Sequence, residues 1–243
     1  CGIQSPSRII GGSPVDTISR YPFMAMLVFS GEQQCGGSII ASKAILTAAH
    51  CMDGETIDST KVGIGLLNRS QANSAQLYDV AEIVIHPNYT KAKYYNDISI
   101  LILEKEIDLN QYPPICLPSP KRQCYNDLTV IGWGYTEPDG DYSEQLLEVE
   151  VPENNFDDCN AKWENDLCLK KQLCAGDVGK DSCQADSGGP LFRIINGRYT
   201  QAGIVSFGDS CSKKYGVYSR VSGFRNFIDD VIAKHGGGYM CEE

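Results

Sequence analysis

Residues 181–190 read DSCQADSGGP, and the fold turns on whether Ser187 is a nucleophile or a turn residue. A serine between an acid and two glycines suits an ordinary surface turn. It also suits a hydroxyl held out for attack. Ala185, two places earlier, adds a methyl group close to that hydroxyl. The ten residues do not separate these readings, so the remainder of the chain must.

A serine hydroxyl is a poor nucleophile at neutral pH. It needs a base to take its proton, and the base needs a third group to fix its tautomer and stabilise its cation. Two other segments supply those types. LTAAHC, at 46–51, presents His50, and NDISIL, at 96–101, presents Asp97 at the head of an apolar strand. His50, Asp97 and Ser187 follow one another in the order His, Asp, Ser, which differs from the order in subtilisins and in α/β-hydrolases. His86, before Pro87, reads as a turn residue, and His235 as a favourable charge at a helix C-terminus.

The 243 residues suffice for one large domain or two small ones. A formal charge of −10 argues against nucleic acid or an anionic membrane as the main partner, since both need a basic face. The longest apolar run, Ile98–Leu103, is strand-sized, interrupted by Ser99 and far short of a membrane span. Eleven cysteines without a C-x-x-C pair point to disulfides in an oxidising compartment rather than to zinc. The acceptor sequons at Asn68 and Asn88 agree with secretion. A start at Cys1, with neither Met nor signal peptide, suggests a processed piece of a longer product.

Short apolar runs separated by Gly, Pro, Asn and Asp predict strands near 23–29, 38–40, 44–47, 83–85, 98–103, 128–131, 146–151 and 203–207, the pattern of an all-β sandwich or barrel. Phe224, Phe227, Ile228, Val231 and Ile232 recur at helical spacing. With Ser222 as N-cap and Gly236 as stop, they predict a C-terminal helix packing one face on the body. Pro113, Pro114, Pro118 and Pro120 suit a connector between two β halves.

Eleven landmarks in order now identify a resemblance: RIIGG (8–12), CGGSII (35–40), LTAAHC, HPNY (86–89), NDISIL, ICLP (115–118), GWG (132–134), LCAG (173–176), DSCQADSGGP, GIVSFG (203–208) and GVYSRV (216–221). Over essentially its whole length the chain resembles the trypsin-like serine proteases of the chymotrypsin family. The resemblance implies two six-stranded antiparallel β-barrels with the site in the cleft between them. It implies catalysis by His50, Asp97 and Ser187 without a cofactor or metal, and an oxyanion hole from the backbone N–H groups of Ala185 and Ser187. Asp181 would lie at the base of the primary pocket and select Arg or Lys. Ser182, Gln184, Ser206, Phe207, Gly208 and Gly216 would line it, and Tyr94 and Phe207 the next subsites.

By the same resemblance the chain is made inactive and cleaved between Arg8 and Ile9, whose new ammonium pairs with Asp186. Residues 1–8 are then a light-chain remnant and 9–243 the protease domain. The implied disulfides are Cys1–Cys116, Cys35–Cys51, Cys159–Cys174 and Cys183–Cys211, with Cys124–Cys241 assigned to the tail and Cys168 left free or joined to a missing part. Chains opening CG…RIxGG resemble clip-domain proteases of arthropod cascades. The implied partners are protein substrates, protein inhibitors, an upstream trypsin-like activator and a missing N-terminal regulatory domain. Leu66 and Ala75 stand where the family's calcium loop needs acids, so calcium is not expected. Tyr215 replaces a common proline, as in sodium-binding members, and 137–144 reads as an exposed acidic loop. Two other readings fit the resemblance: a non-catalytic homologue acting as a binding cofactor, and a digestive or venom protease.

Overall fold

A computed structural model describes residues 13–73, 77–121, 124–134, 142–176, 187–208, 215–235 and 241–242. The first half of the chain supplies β2 (Met24–Phe29), β3 (Glu32–Ala41), β4 (Ala44–Thr47), β5 (Thr60–Ile64), β6 (Tyr78–Ile85) and β7 (Ser99–Leu103) after a short arm, β1 (Ser13–Pro14). Strands β2 to β7 close into a six-stranded antiparallel barrel in the order β2-β3-β4-β7-β6-β5, with β5 returning to β2. MAMLVF in β2 and SILIL in β7 are buried along their whole length, as their largely apolar composition requires.

The second half supplies β8 (Asp127–Gly132), β9 (Leu147–Pro152), α1 (Phe156–Lys162), β10 (Gln172–Ala175), β11 (Pro190–Ile195), β12 (Arg198–Phe207), β13 (Gly216–Arg220) and α2 (Arg225–His235). Its sheet runs β1-β9-β8-β11-β12-β13-β10. An antiparallel bridge between Glu153, just past β9, and Ala175 in β10 brings the far strand back to the near one. Six strands therefore roll into a second barrel, and β1 is an arm laid on β9 at Ser13↔Glu148. The expected double-barrel, all-β architecture is the one found.

The halves are joined by aromatic and polar contacts. Tyr21 and Phe23, before β2, meet Phe192 of β11 edge-on, each with ring centroids 5.3 Å apart. Ser38 of β3 donates a buried hydrogen bond to Gln201 of β12 at 2.7 Å. The proline-rich connector touches both, with Ile115 N–H bonded to Ile39 O and Cys116 N–H to Tyr199 O.

Two elements correct the sequence expectations. The C-terminal helix is present, but a 3-10 turn at Val221–Phe224 precedes it, so Ser222 lies buried inside that turn rather than capping α2. Helix α1 was not expected. Asn155 caps it by accepting from the N–H groups of Asp157 and Asp158 at 2.9 and 3.2 Å. Among the described residues no helix is long and apolar enough to cross a membrane.

Cys35 is joined to Cys51 and Cys159 to Cys174. The expected Cys1–Cys116 and Cys124–Cys241 pairs are replaced by Cys116–Cys241. The reason is the course of the tail beyond α2. Leu117 N–H bonds Cys241 O at 2.8 Å, and Arg225 holds Glu242 and Pro118 O, each at 2.7 Å, which sets Cys241 beside Cys116. Cys124 is also disulfide-bonded. Cys168 is free and exposed.

Candidate active site

His50 opens a 3-10 turn, His50–Met52, where the chain leaves β4 through two buried alanines. Asp97 lies two residues before β7, and Ser187 three before β11. The two barrels thus deliver His50 and Asp97 from one side and Ser187 from the other.

The Asp97 side chain is wholly buried and fully engaged. Its Oδ1 accepts from the His50 backbone N–H at 2.8 Å, and its Oδ2 faces His50 Nδ1 at 2.8 Å. The Ser206 hydroxyl also donates to Oδ2. Ser219 donates to the Asp97 backbone carbonyl at 2.7 Å. These donors offset the cost of burying the carboxylate. A carboxylate at Nδ1 places the imidazole proton there and leaves Nε2 with its lone pair, the form a general base needs. The His50 ring is partly open to solvent, while Asp97 is sealed.

The turn after Ser187 is set by close approach. Ser187 O accepts from Gly36 N–H of β3 at 2.9 Å, and Gly188 N–H donates to Val205 O of β12 at 2.9 Å. Gly188 has φ +82°, and a Cβ there would stand 2.2 Å from Thr47 Oγ1 and 2.7 Å from Gly36 O. Thr47 is itself fixed, donating to Gly36 O at 2.8 Å. The glycine that makes a surface turn plausible is therefore required by packing of one barrel on the other. The turn lies against Thr47 and Ala48, which lead straight into His50.

A row of aromatic rings runs outward from His50. Tyr94 packs edge-on against His50 at 5.5 Å, Phe207 against Tyr94 at 5.3 Å, and Trp163 against Phe207 at 5.1 Å. Trp163 is fixed by its indole N–H to Tyr215 O at 3.1 Å, and Lys162 lies over the Tyr215 ring at 4.0 Å. Tyr94 has φ 51°, an uncommon conformation for a bulky residue, and Asn96 follows at φ 53°. The segment is clasped to the second barrel. Lys93 pairs with Asp166 at 2.9 Å, and the Tyr95 hydroxyl donates to the same carboxylate.

Gly208 and Gly216 lie side by side, and a Cβ on Gly208 would reach Gly216 Cα at 3.8 Å. Ser206 lies near the end of β12, and its hydroxyl is engaged by Asp97. Residues Arg8, Ile9, Asp181, Ser182, Gln184, Ala185, Asp186, Cys183 and Cys211 lie outside the described residues, as does Ala75. His86 sits between the rings of Phe224 and Phe227 at 5.5 and 4.9 Å, and burial followed by Lys171 lowers its pKa. His235 Nε2 lies 3.5 Å from a Glu82 carboxylate oxygen.

Sequence reasoning missed Ser219, Trp163 and the Tyr95–Asp166 contact. Their signals are positional: a serine inside the GVYSRV strand and a tryptophan ending a short capped helix. Cys35, His50 and Cys51 are close enough to suggest a metal cage, but the two sulfurs are bonded to each other.

Comparison with known proteins agrees with this geometry. The family described as Trypsin matches residues 9–228. The chain is also similar to the venom peptide isomerase heavy chain of Agelenopsis aperta, 35% identical over 239 residues covering 90% of this chain and 98% of that one. A matched span that includes both barrels and all three triad positions means that the chain belongs to the trypsin family.

Proposed function

We propose that the chain is a secreted serine endopeptidase that cleaves after Arg or Lys. Ser187 attacks the scissile carbonyl, His50 takes the proton and returns it to the leaving amine, and Asp97 orients His50. The N–H groups of Ala185 and Ser187 hold the oxyanion, and Asp181 receives the basic side chain. The observation that carries the reading is the sealed Asp97 carboxylate, bonded to both the backbone and the ring of His50. A chain kept only for binding has no need of it.

Cleavage between Arg8 and Ile9, with the new ammonium paired to Asp186, is the proposed activation, carried out by an upstream trypsin-like protease. Residues 1–8 then form a light-chain remnant, and 9–243 act by limited proteolysis in an extracellular cascade. The disulfides and the two sequons support passage through an oxidising, secretory route.

The test is labelling of the Arg8-cleaved protein with a peptidyl-arginine phosphonate, followed by a peptide-library profile. An adduct on Ser187 and cleavage after Arg or Lys are expected. No adduct would favour the binding-cofactor reading, and cutting after Phe or Leu would refute the role of Asp181.

A second reading follows from the similar chain named a peptide isomerase. Isomerisation leaves a peptide's mass unchanged, whereas hydrolysis adds water and gives two fragments. Mass spectrometry of one substrate peptide separates the two.

A further inference from the structure

The two sequons lie in different surroundings. In the first, Ser70 donates its hydroxyl to Glu144, Asn68 N–H is held by Gln71 Oε1 at 2.8 Å, and Asn68 forms an antiparallel bridge with Gln145. Arg69 covers the Tyr142 ring at 4.6 Å. Asn68 is half-buried in this contact between the barrels. In the second, Asn88 and Thr90 are exposed, and neither side chain makes a hydrogen bond among the described residues. Tyr89 between them turns inward, its hydroxyl buried. Pro87 and Asn88 lie in a turn closed by Tyr89 N–H on His86 O at 2.9 Å, with Asn88 and Thr90, the two residues the modification needs, on the outside.

The backbone of the second sequon is firm. Asn96 donates to Asn88 O at 2.8 Å, Thr90 N–H to Tyr95 O at 3.0 Å, and Asn88 N–H to His86 Nδ1 at 3.2 Å. Lys91 pairs with Asp53, just past the His50 turn. The outer face of this segment carries Asn88, and its inner face carries Tyr94 against His50. It borders the surface on which His50 lies.

We propose that Asn88, and not Asn68, carries an N-linked glycan, and that this glycan shields the catalytic cleft from large partners while admitting short peptides. The proposal rests on the secreted-protease reading for its kinetic part only. A glycan is bulky and hydrated, and its attachment here displaces no packed group. Attached at Asn68, it would start from a half-buried residue bridged to Gln145. Standing beyond Lys91 and Asp53, the Asn88 glycan obstructs a folded inhibitor or substrate that must seat on the rim. A short peptide lies inside the rim.

The experiment expresses the full chain in a secretory eukaryotic host, cleaves it at Arg8 and maps glycopeptides by mass spectrometry. Occupancy at Asn88 with Asn68 bare is expected, and a bare Asn88 or an occupied Asn68 overturns the assignment. Asn88→Gln and Thr90→Ala each remove the sequon by a different residue. Both variants should hydrolyse a short peptidyl-arginine anilide as the parent does, yet associate with a folded Kunitz-type inhibitor about 3- to 10-fold faster. Equal association rates in parent and both variants overturn the shielding. If the parent leaves the anilide uncut, the protease reading fails and the glycopeptide map still decides the modification.

Discussion

Asp97 grips His50 twice, through the backbone N–H at Oδ1 and through Nδ1 at Oδ2, both at 2.8 Å. One buried carboxylate therefore fixes the position of the residue and the tautomer of its ring. Asp97→Asn should keep the fold, because an amide oxygen still accepts one of these bonds. It should lower kcat by about 10^4-fold, since the amide N–H₂ disfavours the required tautomer. Steady-state hydrolysis of a peptidyl-arginine anilide, alongside far-ultraviolet circular dichroism, measures both.

Ser206 supplies the third donor to that carboxylate. Ser206→Ala should lower kcat by about 10-fold, the worth of one hydrogen bond to a charged group, with KM less affected. A rise in KM alone would place Ser206 in the substrate pocket instead.

Gly188 has no room for a side chain, with a Cβ only 2.2 Å from Thr47 Oγ1 and φ at +82°. Gly188→Ala should lower Tm by roughly 5–10 °C, for a cost of about 3 kcal/mol in a chain of this size. Activity should be lost at temperatures where the variant is still folded, because the clash moves the turn that bears Ser187. Differential scanning calorimetry and phosphonate labelling separate the two effects.

His86 has its pKa lowered, first by burial and then by Lys171. The unfolded chain therefore takes up the proton more readily. Stability from the neutral imidazole is full above the unfolded value near 6.5 and falls as pH drops from there through the folded pKa. Glu153, whose pKa burial raises, contributes the opposite slope at lower pH, losing stability as pH rises. The difference between parent and His86→Gln isolates the histidine. Urea midpoints should converge as pH falls from 7 towards 5, and parallel curves would contradict this assignment.

Lys93 and Tyr95 meet the same Asp166 carboxylate at the surface. Exposed pairs contribute little to stability and weaken in salt. Asp166→Ala should leave Tm nearly unchanged while raising KM for peptides extended on the N-terminal side of the cut. Added salt should raise the same KM in the parent and not in the variant.

The order of His50, Asp97 and Ser187 was legible because each sits in a segment whose neighbours are dictated by packing. Thr47, Ala48 and Ala49 must be small or buried beside the Ser187 turn, so the letters around the triad carry the fold. Strands β2, β4 and β7 were legible as short, largely apolar runs. Strand β5 was not, because TKVGI mixes Lys and Gly. Strand β13 was not either, because its last residue is Arg220, buried near Glu153 at 3.6 Å. The bond from Ser206 to Asp97 was not legible, since a register shift between Val205 and Phe207 breaks the strand's regular alternation there. The Cys116–Cys241 pair depends on where the tail lies after α2, which no local pattern encodes.

The turn bearing Ser187 hangs by one backbone bond from Gly36 in the first barrel and by two, through Gly188 N–H and Gly189 O, from Val205 in the second. Neither half of the molecule holds the Ser187 turn alone. A nascent or nicked chain with only one barrel formed has no complete attacking geometry, whatever its triad residues. On the protease reading proposed above, completion of folding is a precondition for the chemistry, separate from any cleavage of the chain.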